Sequence, residues 1–413
     1  MNAEIIAVGS EMLTPDRVDT NSLFITSELN SLGVEVIVKT VIGDDRERLA
    51  DTVRRALTRA GIVVLSGGLG PTEDDVTRDA VAMALDRRQV YQPDISEGIE
   101  ARFRTMGRTM PEINRRQAYI LEGAEMLPND RGTAPGQWID DQGRYLMLLP
   151  GPPHELKSMF SKHCMPRLER RLPPQIIRTL VFRVTGMSES DLDQSISPIY
   201  KRYENPATTI LAHAGDLQVH LRARCSSEAE AAALLNEVGA QIELKLADRI
   251  YSRNGETLEA TIGELLRKQH ATLAIAESLT GGGLAERVTQ VPGCSDYFLG
   301  GFVVYNRKLK ASLLGIDEAL INQFGPVSRE VAERMASGAR LKLGATYALA
   351  LTGNAGPGTD GNEAPAGTVF VALSDANGTV VLERQFMADR PRVKQFAGQM
   401  ALDLLRRRLQ KLQ

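Results

Sequence analysis

The stretch IVVLSGGLGPTEDDVT, residues 62–77, runs from an apolar segment through a glycine loop into an acidic turn. The β-branched run Ile62–Ser66 predicts a short buried strand, which the glycines end. Pro71 suits the first turn of a helix, and Thr72 with Asp75 three residues later matches a capping box, so we expect a helix to open here. A strand, a glycine loop and a helix in that order predict a βαβ unit.

The same alternation of apolar runs and amphipathic stretches continues on both sides of this segment. In the first part of the chain we expect strands at 4–8, 34–40 and 145–149, and helices at 21–32, 46–60 and from Glu155. Strands that alternate with helices of this length predict βαβ units and a mostly parallel sheet. The fold class of this part is therefore α/β.

Two stretches divide the chain further: residues 166–174 combine arginines with a Pro-Pro pair, and residues 251–256 are polar and turn-forming. The segment between them predicts a small α+β unit, with strands at 178–184, 208–213 and 217–224 and helices at 188–200 and 226–247. Alternation then resumes, with strands at 271–277, 301–305, 347–352, 367–374 and 380–386. We therefore predict three domains, at residues 1–170, 175–253 and 257–413.

The charge and composition of the 413-residue chain exclude several classes of protein. Its net charge is −3, with 49 Lys+Arg against 52 Asp+Glu, which argues against direct nucleic-acid binding, because such binding neutralises many phosphates. Cys164, Cys225 and Cys294 show no CxxC spacing and indicate neither a disulfide framework nor a zinc site. The start lacks a basic export region, and no apolar run approaches the ~18 residues that span a bilayer. We expect a cytoplasmic protein without membrane contact.

The glycine loop is the first candidate site. Its glycines let the backbone approach a ligand, and the amides of a helix start can bind a phosphate. Three consecutive carboxylates beside a phosphate repel it unless a divalent cation bridges them, so the sequence predicts a metal-assisted phosphate site. The alternative is that the acidic residues only favour a helix N-terminus. The candidates are Gly67, Gly68, Gly70 and Thr72 for the phosphate and Glu73, Asp74 and Asp75 for the metal.

A second turn of the same kind follows the predicted strand at 145–149. Pro150–Pro153 contains Gly151 and Pro152 and precedes a helix, so it lies where open α/β sheets bind ligands. The loop at residues 129–136 can reach the same edge. The alternative for the proline turn is a rigid corner between strand and helix.

The most specific candidate catalytic site follows the strand predicted at 271–277. Ser278 lies on a strand-to-helix turn before Gly281, Gly282 and Gly283, whose amides could bind an oxyanion, as acyl chemistry requires. Residues 271–413 contain no histidine, so the base must be a lysine, a carboxylate or a tyrosine. Tyr305 and Lys310 follow the next predicted strand, and a partly desolvated lysine could deprotonate the serine.

Simpler interpretations of these residues stay open. Ser278 could be a helix N-cap, and Lys310 could be a solvated charge on a helix face. The glycine loop Thr352–Gly358 could cradle a phosphate or a ribose, or it could be an ordinary turn.

In combination and in order along the chain, these motifs resemble the CinA family of competence/damage-inducible proteins. Residues 1–170, through SGGLGPTEDDVT, NxxGTAPG and PGPPxE, resemble its molybdopterin-binding-like domain of three α/β layers. Residues 175–253 resemble its small KH-like α+β domain but lack a GxxG loop, so no RNA binding is implied. Residues 257–413, through AESLTGG, GFVVYNxxxK, GPVS, TGNAGPG and PAGTV, resemble α/β nicotinamide mononucleotide deamidases.

The resemblance implies two hydrolytic activities. The first domain would hydrolyse ADP-ribose to AMP and ribose 5-phosphate with a divalent metal ion of the magnesium or cobalt type, with a monovalent cation as an optional addition. The last domain would hydrolyse the amide of nicotinamide mononucleotide to nicotinate mononucleotide and ammonia without a cofactor. The expected partners are these small-molecule nucleotides and a second copy of the chain in a homodimer.

The resemblance also assigns residues to the last site. Ser278 would be the nucleophile, with Lys310 as base and Tyr305 as a further catalytic residue, and Arg390 would suit the nucleotide phosphate. The expected substrate-binding residues there are Thr280, Gly281, Gly282, Gly353, Ala355, Gly356 and Arg390.

Two other functions remain open at this point. The first domain alone also fits a molybdopterin enzyme or carrier, although that function leaves the last domain unexplained. A binding module in competence or DNA repair, acting through protein contacts, is also compatible with the near-neutral charge.

Overall fold

The computed structural model describes residues 1–213, 215–358 and 364–412 of the chain. They form two compact units, which are Met1–Arg178 with Arg224–Ala233, and Thr179–Ala223 with Leu234–Gln413. Within the described parts of the chain, none of the helices is both long and apolar enough to cross a membrane.

The first unit alternates strands and helices. Its strands are β1 (Asn2–Val8), β2 (Glu35–Ile42), β3 (Ile62–Ser66), β4 (Gln89–Tyr91), β5 (Tyr119–Leu121), β6 (Glu125–Leu127), β7 (Gly136–Asp141) and β8 (Arg144–Leu149). Its helices are α1 (Thr20–Ser31), α2 (Arg46–Arg59), α3 (Thr77–Leu85), α4 (Pro93–Thr105), α5 (Pro153–Met159) and α6 (Met165–Arg171). Six strands form one sheet in the order β2-β1-β3-β8-β7-β6.

Successive residues of β1 explain why this sheet has a helical layer on each face. Ile6 packs in a core with Leu49 and Val53 of α2, whereas Ile5 packs in a second core with Ile25 of α1 and Leu156 of α5. Because side chains along a strand alternate between the two faces, a strand that is apolar throughout is buried on both sides. The result is three layers, helices on both sides of the sheet.

A smaller sheet follows in the chain, in the order β10-β11-β9-β12. Its elements are β9 (Ile176–Thr185), α7 (Glu189–Tyr200), β10 (Ala207–His213), β11 (Asp216–Cys225), α8 (Glu228–Leu246) and β12 (Ile250–Ser252). Residues along β11 alternate strictly between buried and half-buried, as expected of a strand with one face on a core. Ser188 caps α7 by accepting the amide proton of Asp191.

The rest of the second unit forms a five-stranded sheet in the order β14-β13-β15-β16-β17. Its strands are β13 (Leu273–Glu277), β14 (Phe298–Val303), β15 (Tyr347–Gly353), β16 (Thr368–Asp375) and β17 (Gly378–Gln385). Its helices are α9 (Leu258–Lys268), α10 (Gly283–Thr289), α11 (Arg307–Leu314), α12 (Glu318–Phe324), α13 (Arg329–Leu343) and α14 (Arg390–Leu409). Leu273 and Ile275 face a core shared with α9 and α14, and Ala274 and Ala276 face a core shared with α13.

The sheets are less parallel than the sequence predicts. Strands β1, β2, β3 and β8 pair in parallel, but β6, β7 and β8 pair antiparallel. In the second unit β13 pairs in parallel with β14 and β15, while β15, β16 and β17 pair antiparallel. Strands β7 and β8 are joined through Gln142 and Gly143, and a connection that short allows only an antiparallel pair.

Two predicted element boundaries are wrong. Helix α3 begins at Thr77 and not at Pro71, because the Asp75 carboxylate accepts the amide protons of Gly70 and Thr72 and closes the segment into a turn. The strand expected at 301–305 covers Phe298–Val303 instead. The chain turns after it, because the Asn306 side chain caps α11.

Candidate functional sites

A cleft of about 360 Å³ lies at the carboxyl ends of β1, β3 and β8 in the first unit. Its walls include the predicted residues Gly67, Gly68, Gly70, Asp74, Asp75, Gly151 and Pro152. Thr133 and Ala134 from the loop at 129–136 also line it, but Thr72 and Glu73 are not among its described lining residues. Ligands of open α/β sheets bind at this edge, so the cleft is the candidate site of the first unit.

The glycine loop packs closely on its neighbours. Gly67 has a φ of 106°, and a Cβ there would lie 2.2 Å from the carbonyl oxygen of Val8, so only glycine fits this position. The buried Arg78 donates over 2.6 Å to the carbonyl of Leu69 and over 2.8 Å to that of Gly70. Burial lowers the pKa of its guanidinium, and the nearby negative charge of Asp75 partly opposes this lowering. Arg78 therefore positions the loop, a role that the sequence prediction missed.

The three acidic residues that we predicted as metal ligands have different environments. Glu73 does not line the cleft and pairs with Arg116 over 2.7 Å, with 88% of its side chain exposed. The Asp75 carboxylate accepts from the amides of Gly70 and Thr72 and, over 2.6 Å, from the Thr72 hydroxyl. A hydrogen bond with the Thr72 side chain, and to a smaller extent one with the backbone amide of Asp74 itself, lowers the pKa of the Asp74 carboxyl. Asp74 is therefore ionised at neutral pH.

These contacts limit how a metal ion could bind. In the described part of the chain, no three His, Cys, Asp or Glu side chains converge as a protein cage for a metal requires. The cleft is nevertheless lined by carboxylates, those of Glu11, Asp44, Asp74, Asp75 and Glu155. Magnesium is commonly held by one or two carboxylates together with substrate phosphates, and this donor set fits that mode. The metal site remains a prediction.

The candidate site of the second unit lies at the carboxyl ends of β13, β14 and β15. Ser278 is 8% exposed, and its amide donates to the carbonyl of Leu351 on β15. The amide of Val304, just after β14, donates to the carbonyl of Glu277. Helix α10 begins at Gly283 with Gly282 as N-cap, so the interpretation of Ser278 as the N-cap is wrong.

Glu277 organises the glycine turn that follows the serine. It is 1% exposed, and its carboxylate accepts from the amides of Gly282, Leu284 and Ala285 at 2.8 to 3.0 Å. A negative charge at the first amides of a helix is favourable, so Glu277 fixes the start of α10. The signal in the sequence is a carboxylate at the end of an apolar strand, four residues before a glycine run.

The glycine amides of this turn already have acceptors. Gly281 donates to the carbonyl of Ser278, Gly282 to Glu277, and Gly283 to the carbonyl of Thr280. They would have to exchange a partner before binding a substrate oxygen. The Thr280 side chain is different, because it is 3% exposed and its hydroxyl has no hydrogen-bond partner among the described residues. A buried hydroxyl without a partner is a candidate donor to a substrate.

Lys310 and Tyr305 lie in contrasting surroundings. Lys310 is 1% exposed, so the alternative of a solvated surface charge is wrong. Its Nζ lies 3.5 Å from the hydroxyl of Thr352, next to the Leu351 that accepts from the Ser278 amide. Ser278 and Lys310 therefore both contact the end of β15.

Tyr305 belongs to a second group of predicted residues. It is 57% exposed, and its hydroxyl accepts from Arg390 over 2.7 Å. Arg390, the first residue of α14, also donates to the carbonyl of Gly356 over 2.9 Å. Between these groups, Gly353 ends β15 and Ala355 is buried in the loop that Asn354 closes by accepting from the Gly356 amide.

We predict that Glu277→Gln destabilises the second unit by about 2 kcal/mol, because an uncharged amide replaces a buried carboxylate that accepts three amide protons. Urea unfolding of the full chain measures this effect. Glu286→Gln on the exposed face of the same helix is the matched control and should change stability by less than about 0.5 kcal/mol. Equal stability of the two variants would contradict the role of Glu277.

Family models match the chain in three consecutive segments. The family model described as "probable molybdopterin binding domain" matches residues 4–170. The model described as "damage-inducible protein CinA KH domain" matches residues 179–252, and the one described as "CinA C-terminal domain" matches residues 255–409. These matches fit the α/β, α+β and α/β arrangement of the fold.

Curated relatives align with this chain over nearly its full length. A CinA-like protein of Solibacter usitatus is 60% identical over 409 residues, which are 99% of this chain and 98% of that protein. A CinA-like protein of Koribacter versatilis is 45% identical over 413 residues, covering 99% of this chain and all of that protein. A putative competence-damage inducible protein of Caldicellulosiruptor saccharolyticus is 36% identical over 407 residues, which are 98% of this chain and 99% of that protein.

Proposed function

The chain belongs to the CinA family, and from that premise we propose that it is a bifunctional hydrolase of pyridine nucleotide recycling. The second unit would hydrolyse the amide of nicotinamide mononucleotide, and the first unit would hydrolyse ADP-ribose. The observation that best supports the amidase is that a buried serine and a buried lysine contact neighbouring residues at the end of β15, the Ser278 amide at Leu351 and the Lys310 Nζ at Thr352.

The amidase reaction follows from these two side chains. The Ser278 oxygen attacks the carboxamide carbon while its proton passes to Lys310, which requires the lysine in its neutral form. The tetrahedral intermediate then breaks its C–N bond, and Lys310 returns the proton to the departing ammonia. Water hydrolyses the resulting ester with the same proton transfers, which releases nicotinate mononucleotide and restores Ser278.

The negative oxygen of the tetrahedral intermediate needs hydrogen-bond donors. The hydroxyl of Thr280 is the donor that this structure favours, because it is buried two residues after the nucleophile and has no partner among the described residues. A donor in a water-poor site stabilises the developing charge strongly. Gly281 and Gly282 would shape the turn instead of donating directly.

Arg390 and Tyr305 would recognise the nucleotide part of the substrate. The guanidinium of Arg390 contacts both Tyr305 and the carbonyl of Gly356, in the loop that follows the end of β15. Arginine binds phosphate through paired donors, which suits the 5′-phosphate of a mononucleotide. The exposed Tyr305 would hold this arginine in place.

The test of both activities is direct. Purified full-length protein is incubated with nicotinamide mononucleotide and, separately, with ADP-ribose, while ammonia and AMP are followed. Release of ammonia from the first substrate supports the amidase, and release of AMP from the second supports the pyrophosphatase. Absence of either product rejects that half of the proposal.

The cleft of the first unit supports the second activity. Its glycine loop and proline turn meet at the ligand-binding edge of the sheet, and Arg78 holds the loop in shape. When bound by Asp74 and substrate phosphates, a divalent ion would offset the charge of a pyrophosphate. The chain's own residues would position the two phosphates against the backbone of the loop.

Removal of metal by chelation should stop ADP-ribose cleavage and spare ammonia release. Asp74→Asn should lower ADP-ribose cleavage at least about tenfold at limiting metal, because this ionised carboxylate lines the cleft. Glu73→Gln is the matched control and should act like the wild type, because Glu73 pairs with Arg116 outside the cleft. Titration of activity with Mg²⁺ or Co²⁺ measures both variants. Cleavage that survives exhaustive chelation contradicts the metal site.

A molybdopterin-binding role for the first unit is the competing proposal, since the matching family model is described as a probable molybdopterin binding domain. It predicts tight pterin binding without AMP release from ADP-ribose. A non-enzymatic role as a partner in competence or DNA damage predicts neither ammonia nor AMP. The same incubations therefore separate the three proposals.

A further inference from the structure

A cavity of about 1100 Å³ lies in the second unit, between the small sheet, β17 and helix α14. Its α14 wall is one face of the helix, because the lining residues recur every three or four positions. They include Arg392, Phe396, Gln399, Asp403 and Arg407. The helix rises about 22 Å from the first of these residues to the last, so the cavity is a groove, which we call the α14 groove.

The α14 groove is separate from the candidate amidase site of the same unit. Ser278, Lys310 and Arg390 are not among its described lining residues. Arg390 and Arg392 share the first turn of α14, but the guanidinium of Arg390 contacts Tyr305, whereas Arg392 lines the groove. A ligand in the groove therefore leaves the amidase site open.

Two stacked aromatic rings form part of the groove wall. The ring centroids of Phe386 and Phe396 lie 5.2 Å apart, with 13° between their planes. Both side chains are only half-buried and both line the groove. Flat heterocycles stack on such rings whatever their exact structure, so this wall suits a nucleobase.

The charges of the groove favour an anion. Asp248 pairs with Arg407 over 2.5 Å, and Asp403 pairs with Arg406 over 2.7 Å, so these two carboxylates are already neutralised. Of the described lining carboxylates, Glu189 has no ion pair. Three lining arginines have no carboxylate partner among the described residues, namely Arg249, Arg384 and Arg392. Arginines without a carboxylate can bind a phosphate through paired donors.

A buried amide in the groove wall lacks a hydrogen-bond acceptor. Gln399 is 4% exposed, and its Oε1 accepts from Arg287 over 2.8 Å. Its Nε2 has no partner among the described residues. A buried donor without a partner is costly unless a ligand supplies the acceptor, and the ring nitrogens of a nucleobase are acceptors of this kind.

We propose that the α14 groove is a second nucleotide site of this unit. The base stacks on Phe386 and Phe396, an acceptor on its edge meets the amide of Gln399, and the phosphate binds Arg392. A free phosphate would leave the aromatic wall and the amide unused, and an apolar ligand would leave the arginines unpaired. The inference does not depend on either proposed hydrolytic activity.

Photolabelling of the full chain with 8-azidoadenosine 5′-monophosphate tests the groove, because mass spectrometry of the labelled peptides locates the base. We expect label on α14 or on residues 185–189, which line the groove. Arg392→Gln, at an exposed position, should lower this labelling at least about fivefold below saturation. Lys394→Gln is the matched control, because Lys394 lies on the same helix but is not a described lining residue, and it should label within about twofold of the wild type.

Gln399→Glu is a second variant, which keeps an acceptor for Arg287 but removes the donor to the base, and it should also lower the labelling. Label found only in the first unit or around Ser278 overturns the proposal, as does wild-type labelling of Arg392→Gln or Gln399→Glu. Inorganic phosphate that competes as well as AMP would show an anion site without base recognition and would also overturn it. Because labelling needs no turnover, label in the groove of a protein that releases neither ammonia nor AMP rejects the hydrolytic activities and keeps this site.

Discussion

Ser278→Ala should reduce ammonia release from nicotinamide mononucleotide by at least about a thousandfold and leave ADP-ribose cleavage unchanged. The loss is large because the proposed acyl-enzyme cannot form without its nucleophile, and the lysine alone gives little catalysis. Single-turnover measurement of ammonia, with AMP release from ADP-ribose in the same preparation, gives both quantities.

Ser328→Ala is the matched control for this variant. Ser328 is as buried as Ser278, but it caps α13 by accepting the amide proton of Val331. Its loss should cost stability of about 1 kcal/mol and leave the turnover number near that of the wild type. Retention of more than a few per cent of deamidation by Ser278→Ala would show that another group attacks the amide.

The regular part of the fold could be predicted from the sequence because its periodicity is strong. The expected strand at 62–66 has the observed bounds, and the expected helix at 46–60 differs by one residue. The antiparallel half of each sheet was harder, because an apolar run has the same pattern whichever way its partner runs. Register and direction depend on turns that bring distant strands together.

Part of each candidate site could also be predicted from the sequence, because its turns have a local sequence pattern. A serine before three glycines marks a tight turn after a strand, and the structure places Ser278 there. The partners of that turn were not visible, because the amides that Glu277 binds and the contact of Lys310 with Thr352 depend on tertiary packing. The pattern of Thr72 and Asp75 misled us, since a local turn satisfies it as well as a helix start does.

Lys310→Met should lower the turnover number of the deamidase at least about a hundredfold with little change in KM. Methionine has nearly the length and volume of lysine, so it can fill a site that is 1% exposed beside Met335 without overpacking it. It has no proton to exchange, and positioned acid–base groups contribute about two to four orders of magnitude. Lys310→Arg tests the same point less cleanly, because the larger guanidinium would strain so buried a position.

Lys308→Met, two residues earlier on the exposed part of α11, is the matched control. Like Lys310→Met, it removes one lysine from α11. If Lys310 acts by proton transfer and not through the net charge of that helix, Lys308→Met should keep wild-type turnover. A plot of turnover against pH adds a readout that a structural role would not move, since the limb that reports the base should be absent in Lys310→Met. Wild-type turnover in that variant would remove the lysine from the mechanism and leave the attack by Ser278 without an identified base.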